Sequence, residues 1–183
     1  MRLFTKHILK NMRTIPFYLF TALLFVFFSC SKEDVTPIDQ KLLIGDWNVT
    51  AIKYTGTSTT SYSGVSYTAK FTGTGIDMDY MVSFTENPNN FMSSGTYSIE
   101  LVTEVMGDKT TQVVTMPDLI LPGTWSVKGD KLIVEAQGEI QEGTINKLNA
   151  TQMILTSHLK NTTTQSGMAV SSDIVIVYTF EKD

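Results

Sequence analysis

Beyond residue 29 this 183-residue chain has no arginine, one cysteine (Cys30) and one histidine (His158). Each shortage excludes a class of chemistry. A single thiol cannot close an intrachain disulfide, and Cys and His are too few for a zinc cluster. No spare histidine is left to activate a serine or cysteine nucleophile. Without arginine there is no bidentate clamp for phosphate. Residues 30–183 carry 10 lysines against 18 Asp and Glu, a net charge of −8. An acidic, arginine-free surface is the wrong footprint for nucleic acid. Beyond residue 45 there is also no sustained apolar stripe at helical spacing.

Charge is distributed unevenly. Residues 1–29 hold Arg2, Lys6, Lys10 and Arg13 and no acid, and residues 15–28 form an apolar run of fourteen. As a helix that run would rise about 21 Å, short of the roughly 30 Å hydrocarbon core of a bilayer. A basic start, a short apolar stretch and a small residue, here Ser29, make the secretory signal pattern. The same residues fit an ordinary signal peptide followed by a free cysteine, or an uncleaved anchor. Ser29-Cys30 at the apolar boundary resembles the lipobox of bacterial lipoproteins, with Phe27 and Phe28 where that family prefers leucine and a small residue. The resemblance implies cleavage before Cys30 and acylation of its thiol. Two or more chains at about 0.8 kcal/mol per buried CH₂ hold a protein stably on a membrane. Ser31-Lys32-Glu33-Asp34 resembles the export signal of Bacteroidetes lipoproteins. It implies an outer-membrane lipoprotein exposed at the cell surface, the other placement being periplasm-facing. The same charges also suit a solvated tether. Three segments follow: a signal peptide over 1–29, an acylated cysteine and tether over 30–37, and one domain over 38–183.

That domain reads as β. Threonine supplies 23 of the 154 residues from Cys30 onward, mostly beside Val, Ile, Tyr and Phe. A short helical turn is expected over Ile38–Ile44, with Thr36 as cap and Pro37 in its first position. Ten candidate strands follow, at 46–54, 66–73, 79–86, 91–103, 110–116, 123–128, 131–136, 139–147, 151–159 and 172–181. Turn signals separate them, among them the tight-hairpin pair Gly129-Asp130. Segments 55–65 and 160–171 are small and polar and read as long loops. Alternation would place Trp47, Val49 and Ala51 on one face, Tyr97 with Ile99, and Trp125 with Val127. The last strand, Ile174–Phe180, is apolar on both faces. Eight to ten short strands imply an all-β, single antiparallel up-and-down barrel or a sandwich, and closure removes unpaired edges.

Leu42-Leu43-Ile44-Gly45-Asp46-Trp47 is a helical turn running into Gly-x-Trp. Gly95-Thr96-Tyr97-Ser98-Ile99 and Gly123-Thr124-Trp125-Ser126-Val127 repeat one pattern. Together these resemble the lipocalin-like domains of Bacteroidetes lipoproteins over about residues 40–183. The resemblance implies a lipocalin-like barrel in which Gly45 and Trp47 are structural, the tryptophan plugging one end. The arginine that many lipocalins stack on this tryptophan is absent, and Lys182 lies near its place.

An eight-stranded barrel is wide enough for one small ligand. Tyr80, Phe84, Phe91, Tyr97 and Trp125, with Met81 and Met92, either line its mouth or fill its core. Asp77 with Asp79, and Glu135 with Glu139 and Glu142, read as solvated carboxylates rather than a calcium site, there being no EF-hand spacing. His158 reads as a half-exposed strand residue. No metal, cofactor or catalytic residue is implied, and an enzyme is not expected. The expected function is binding of a small apolar or amphiphilic ligand by a membrane-anchored lipoprotein. The alternative is a non-enzymatic interaction module of a cell-surface complex, recognising protein or glycan.

Overall fold

A computed structural model describes residues 37–116 and 122–183. Cys30 and the Ser31–Asp34 motif lie outside the described residues, as does Thr36. The chain enters the domain through a 3-10 turn, Gln40–Leu42, capped by Asp39, whose carboxylate accepts the Lys41 N–H at 3.1 Å. The expected turn is thus shorter than 38–44, and Asp39 caps it.

Nine strands follow among the described residues: β1 Gly45–Tyr62, β2 Val65–Phe84, β3 Asn90–Val105, β4 Asp108–Met116, β5 Gly123–Lys128, β6 Lys131–Ala136, β7 Glu139–Leu148, β8 Gln152–Gln165 and β9 Met168–Lys182. All pairings are antiparallel. The order β2-β1-β9-β8-β7-β6-β5-β3-β4, with β2 also paired to β3, closes the sheet on itself. β4 pairs with the outer part of β3, at 97–105, while β5 meets only Asn90 and Phe91 at its start. β4 and β5 thus occupy one position in the ring, in the same direction, and the barrel is an eight-position meander.

The inward face carries the apolar residues. Trp47 and Val49 are buried together, then the register slips between Val49 and Ala51 against β9. This β-bulge shifts the phase by one residue. Ile52, 1% exposed, takes the inward place expected of Ala51. Tyr97 and Ile99 both point inward; Trp125 is buried and Val127 only partly so. In β9 the phase is set by Ile176, Tyr178 and Phe180, all buried.

The two Gly-Thr-aromatic segments open onto close backbone crossings. A Cβ at Gly95 would collide with the Asp79 carbonyl oxygen, and one at Gly123 with that of Glu135. Only glycine lets these backbones approach and still turn the next aromatic, Tyr97 or Trp125, into the core.

One end is plugged. Trp47 donates its indole N–H to the Leu43 carbonyl at 2.8 Å. Lys182 stands 4.9 Å from the Trp47 ring centre and donates to the Leu42 carbonyl at 3.0 Å. Trp125 donates to the Thr85 carbonyl at 2.9 Å, and its ring meets Phe84 edge-on at 5.8 Å. Phe84 in turn packs on Phe91 at 5.1 Å.

At the other end the hairpins have unequal length. β1–β2 and β8–β9 run out to tips at Ser63-Gly64 and Ser166-Gly167, whereas β6–β7 turns early at Gln137-Gly138. Segments 55–65 and 160–171, expected as loops, are therefore strand nearly throughout. Their threonines and serines form paired ladders, with hydroxyl bonds Thr59–Thr68, Ser61–Ser66 and Thr162–Ser171 at 2.9, 2.7 and 3.2 Å. Candidate strands 66–73 and 79–86 are one continuous strand, β2, irregular only between Ile76 and Asp79.

Candidate ligand-binding site

Above the plug the interior is not filled. A cavity of about 260 Å³ is lined by Tyr54, Met116, Leu132, Val134, Leu155, Ser157, Ile176 and Tyr178, among others. A second, of about 250 Å³, is lined by Tyr54, Phe71, Ile99, Leu101, Val114 and Met116 with Thr103. The register explains why these side chains converge. Tyr54 lies opposite Ile176 and Gly73, Ile176 opposite Ser157, and Gly73 opposite Leu101. Directly opposed residues of antiparallel strands share a face, so both cavities lie on the barrel's inner surface. Each alone falls short of the roughly 300–1,000 Å³ of an ordinary ligand site. Tyr54 and Met116 line both, so the two cavities are neighbouring lobes on one inner face.

Access follows from strand length. The β7–β8 pairing stops at Thr144 and Thr156. Beyond it, Gln141 and Glu142 on one side and Ser157 and Leu159 on the other line the first lobe. Ser157 donates to the Glu142 carbonyl at 3.3 Å across this seam.

Tyrosines make the floor. The hydroxyls of Tyr54 and Tyr97 share a hydrogen bond of 3.1 Å. Tyr80 meets the Tyr97 ring edge-on at 5.7 Å. Burial raises the phenol pKa values of Tyr54, Tyr97 and Tyr178, and the bond to Tyr54 raises that of Tyr97 further. These hydroxyls therefore stay protonated and keep a donor available in an apolar space.

The aromatic residues expected at the mouth separate. Tyr97 reaches the floor through its hydroxyl, and Tyr80 packs behind it. Phe84, Phe91 and Trp125 belong to the plug, away from both lobes. Met81 and Met92 alternate out of phase with the buried Val82 and Phe91, and Met92 is 54% exposed. Gly45 and Trp47 lie where the Gly-x-Trp motif put them. Tyr54 and Tyr178 were missed. The bulge hid the phase of Tyr54, and the two apolar faces of β9 hid that of Tyr178.

The remaining polar candidates do not converge. Asp77, Asp79, Glu135, Glu139 and Glu142 are exposed, and no three metal-ligating side chains come together among the described residues. His158 is on the surface, its Nε2 2.6 Å from Asp173, with Lys160 3.0 Å from the same carboxylate. Those two partners, His158 first, hold the Asp173 carboxyl below its ordinary value. No helix of the described residues is long and apolar enough to cross a membrane.

No family model matches the sequence, and no curated protein does. Among solved structures it is similar to a polyisoprenoid binding domain from Saccharophagus degradans implicated in plant cell wall breakdown. The identity is 6%, the match spans 75% of this chain and 98% of that one, and the TM-score is 0.27. So loose an overlap carries no argument, and the barrel stands on its own strand pairing. Fold and groove define a class: an antiparallel β-barrel, plugged at one end, with an apolar, tyrosine-floored interior.

Proposed function

We propose that this chain is a membrane-anchored, lipocalin-like lipoprotein whose barrel binds a small apolar or amphiphilic molecule. The observation that carries the reading is the two-lobed groove around Tyr54. Its walls are mostly Leu, Ile, Val, Met and Phe, and its polar groups are hydroxyls, the Gln141 amide and the exposed Glu142. A concave apolar site with a few placed hydrogen-bonding groups suits such a ligand. Cys30 is the acylated anchor, and Ser31–Asp34 directs the protein to the outer face of the outer membrane.

The ligand is tested by native mass spectrometry of the chain from Ser31 onward, purified without detergent. We expect a discrete excess mass that denaturation releases. A bare mass that incubation with lipid extract does not change would overturn the reading. The anchor is tested by metabolic labelling with palmitate, which Cys30→Ala should abolish. Surface exposure is tested by protease treatment of intact cells.

A second reading, an interaction module, has one observation in its favour. Tyr62, Val65, Tyr67 and Met168 are 60%, 52%, 53% and 42% exposed near the hairpin tips. The register puts them on one face. Exposed apolar patches of this kind mark contact surfaces, and the bare-mass outcome would shift the weight here.

A further inference from the structure

The two lobes differ in chemistry, and that difference specifies the ligand further. The first holds Gln141, Glu142 and Ser157 beside the phenol of Tyr178, and it opens at the β7–β8 seam. The second is bounded by Phe71, Ile99, Leu101, Val114 and Met116, with Thr103 its one polar side chain apart from the shared Tyr54. No lysine, arginine or histidine lines either lobe among the described residues. Lys131, on β6 beside the first lobe, instead faces Glu142 at 3.6 Å.

We infer that the ligand is a single-chain amphiphile with an uncharged, hydrogen-bonding head. The head lies at Gln141 and Ser157, and the hydrocarbon tail passes Tyr54 into the lobe walled by Leu101 and Val114. This rests on the binding function proposed above and adds three things: one tail, a neutral head and a direction. An anionic head would be desolvated in the groove with no cation to meet it, a costly burial. A neutral head exchanges its water for the hydroxyl and amide donors and acceptors already there. The tail gains from the second lobe because transfer of each methylene from water contributes about 0.8 kcal/mol.

The experiment is displacement of Nile red from the purified chain by monooctanoylglycerol, monopalmitoylglycerol and palmitate, each below its critical micelle concentration. Wild type should bind the long monoacylglycerol more tightly than the short one and more tightly than palmitate. Leu101→Trp fills the second lobe from β3, and Val114→Trp fills it from β4. Either variant, its fold checked by circular dichroism, should weaken monopalmitoylglycerol on the order of tenfold while leaving monooctanoylglycerol within about twofold. If both tryptophan variants leave the long ligand unaffected, the tail does not lie in that lobe and the inference is overturned. Equal loss of both chain lengths in a folded variant overturns it too, because the lobes then do not act separately. Palmitate binding as tightly as monopalmitoylglycerol overturns the neutral head. If wild type displaces Nile red for none of the three and carries no mass of its own, the binding function itself fails.

Discussion

At the scale of single residues, the plug shows how one side chain can replace another. No arginine follows residue 29, and Lys182 is the cation over Trp47, with a centroid distance of 4.9 Å and a bond to the Leu42 carbonyl. Lysine is a compact point charge with a flexible stem, so it can serve the ring face and one carbonyl without arginine's planar fork. Lys182→Met keeps the stem packing and removes the charge. The plug should lose about 1–2 kcal/mol, the sum of a cation–π contact and a charge-assisted hydrogen bond. Urea unfolding followed by tryptophan fluorescence measures it, and Lys182→Arg should recover most of the loss. An unchanged midpoint in the methionine variant would mean that Lys182 only decorates the surface of the plug. The roles of Gly45 and Trp47 came only through the resemblance of Gly-x-Trp to a known motif. Phe84, Phe91 and Trp125 stood in the sequence only as candidates for mouth or core, and their place in the plug was not legible. Alternation reports which face a side chain takes; it is silent on height along the barrel, which depends on pairing between distant strands.

At the scale of elements, the outer hairpins are strands without a core. From Thr55 to Tyr62 and from Asn161 to Gln165 few side chains are apolar, and those of 161–165 are all exposed. The usual signature of a half-buried strand, apolar at every second residue, is therefore missing, and the segments read as loops. Their strand character comes from β-branched threonines and from pairing, which carries the β8–β9 ladder out to Gln165 and Met168. Hydrogen bonds that few buried contacts shield open at low free energy. Amide exchange should slow along β8 toward the plug, with Met153–Leu155 protected by about tenfold or more over Thr162–Gln165. Uniform protection along the strand, read by exchange-detected NMR, would mean that the hairpin unfolds only with the barrel. The β9 strand poses the opposite difficulty. It is apolar on both faces, so periodicity could not choose between Tyr178 and Val177 as the lining residue; the bulge at Thr50 did the same for Tyr54. Both are consequences of tertiary pairing, and both fell on the groove.

At the scale of the whole molecule, barrel closure places three phenols where their charged forms are unwelcome, and this fixes how stability depends on pH. Burial raises the pKa values of Tyr54, Tyr97 and Tyr178 above the ordinary phenol value of 10.0. In the unfolded chain the same groups ionise near that value. A group whose folded pKa is raised holds its proton in the native state after the unfolded state has lost it. Its contribution is complete below pH 10 and is lost as pH climbs beyond it. The slope is about 1.4 kcal/mol per pH unit for each proton so retained. Unfolding free energy should therefore show no loss from these groups below pH 10 and then fall steeply. Phenolate absorbance from Tyr54, Tyr97 and Tyr178 should appear only as the barrel opens. Tyr54→Phe removes one retained proton and should make the alkaline fall shallower by that amount, while also removing the bond to Tyr97. Urea titrations at several pH values, with phenolate absorbance read in parallel, separate the two effects. The hydrogen-bond loss shifts stability at every pH, and the proton term changes only the slope above 10. Full ionisation of all the tyrosines in a still-folded barrel would show that water reaches the groove floor, and the low-polarity interior on which the ligand argument depends would not exist.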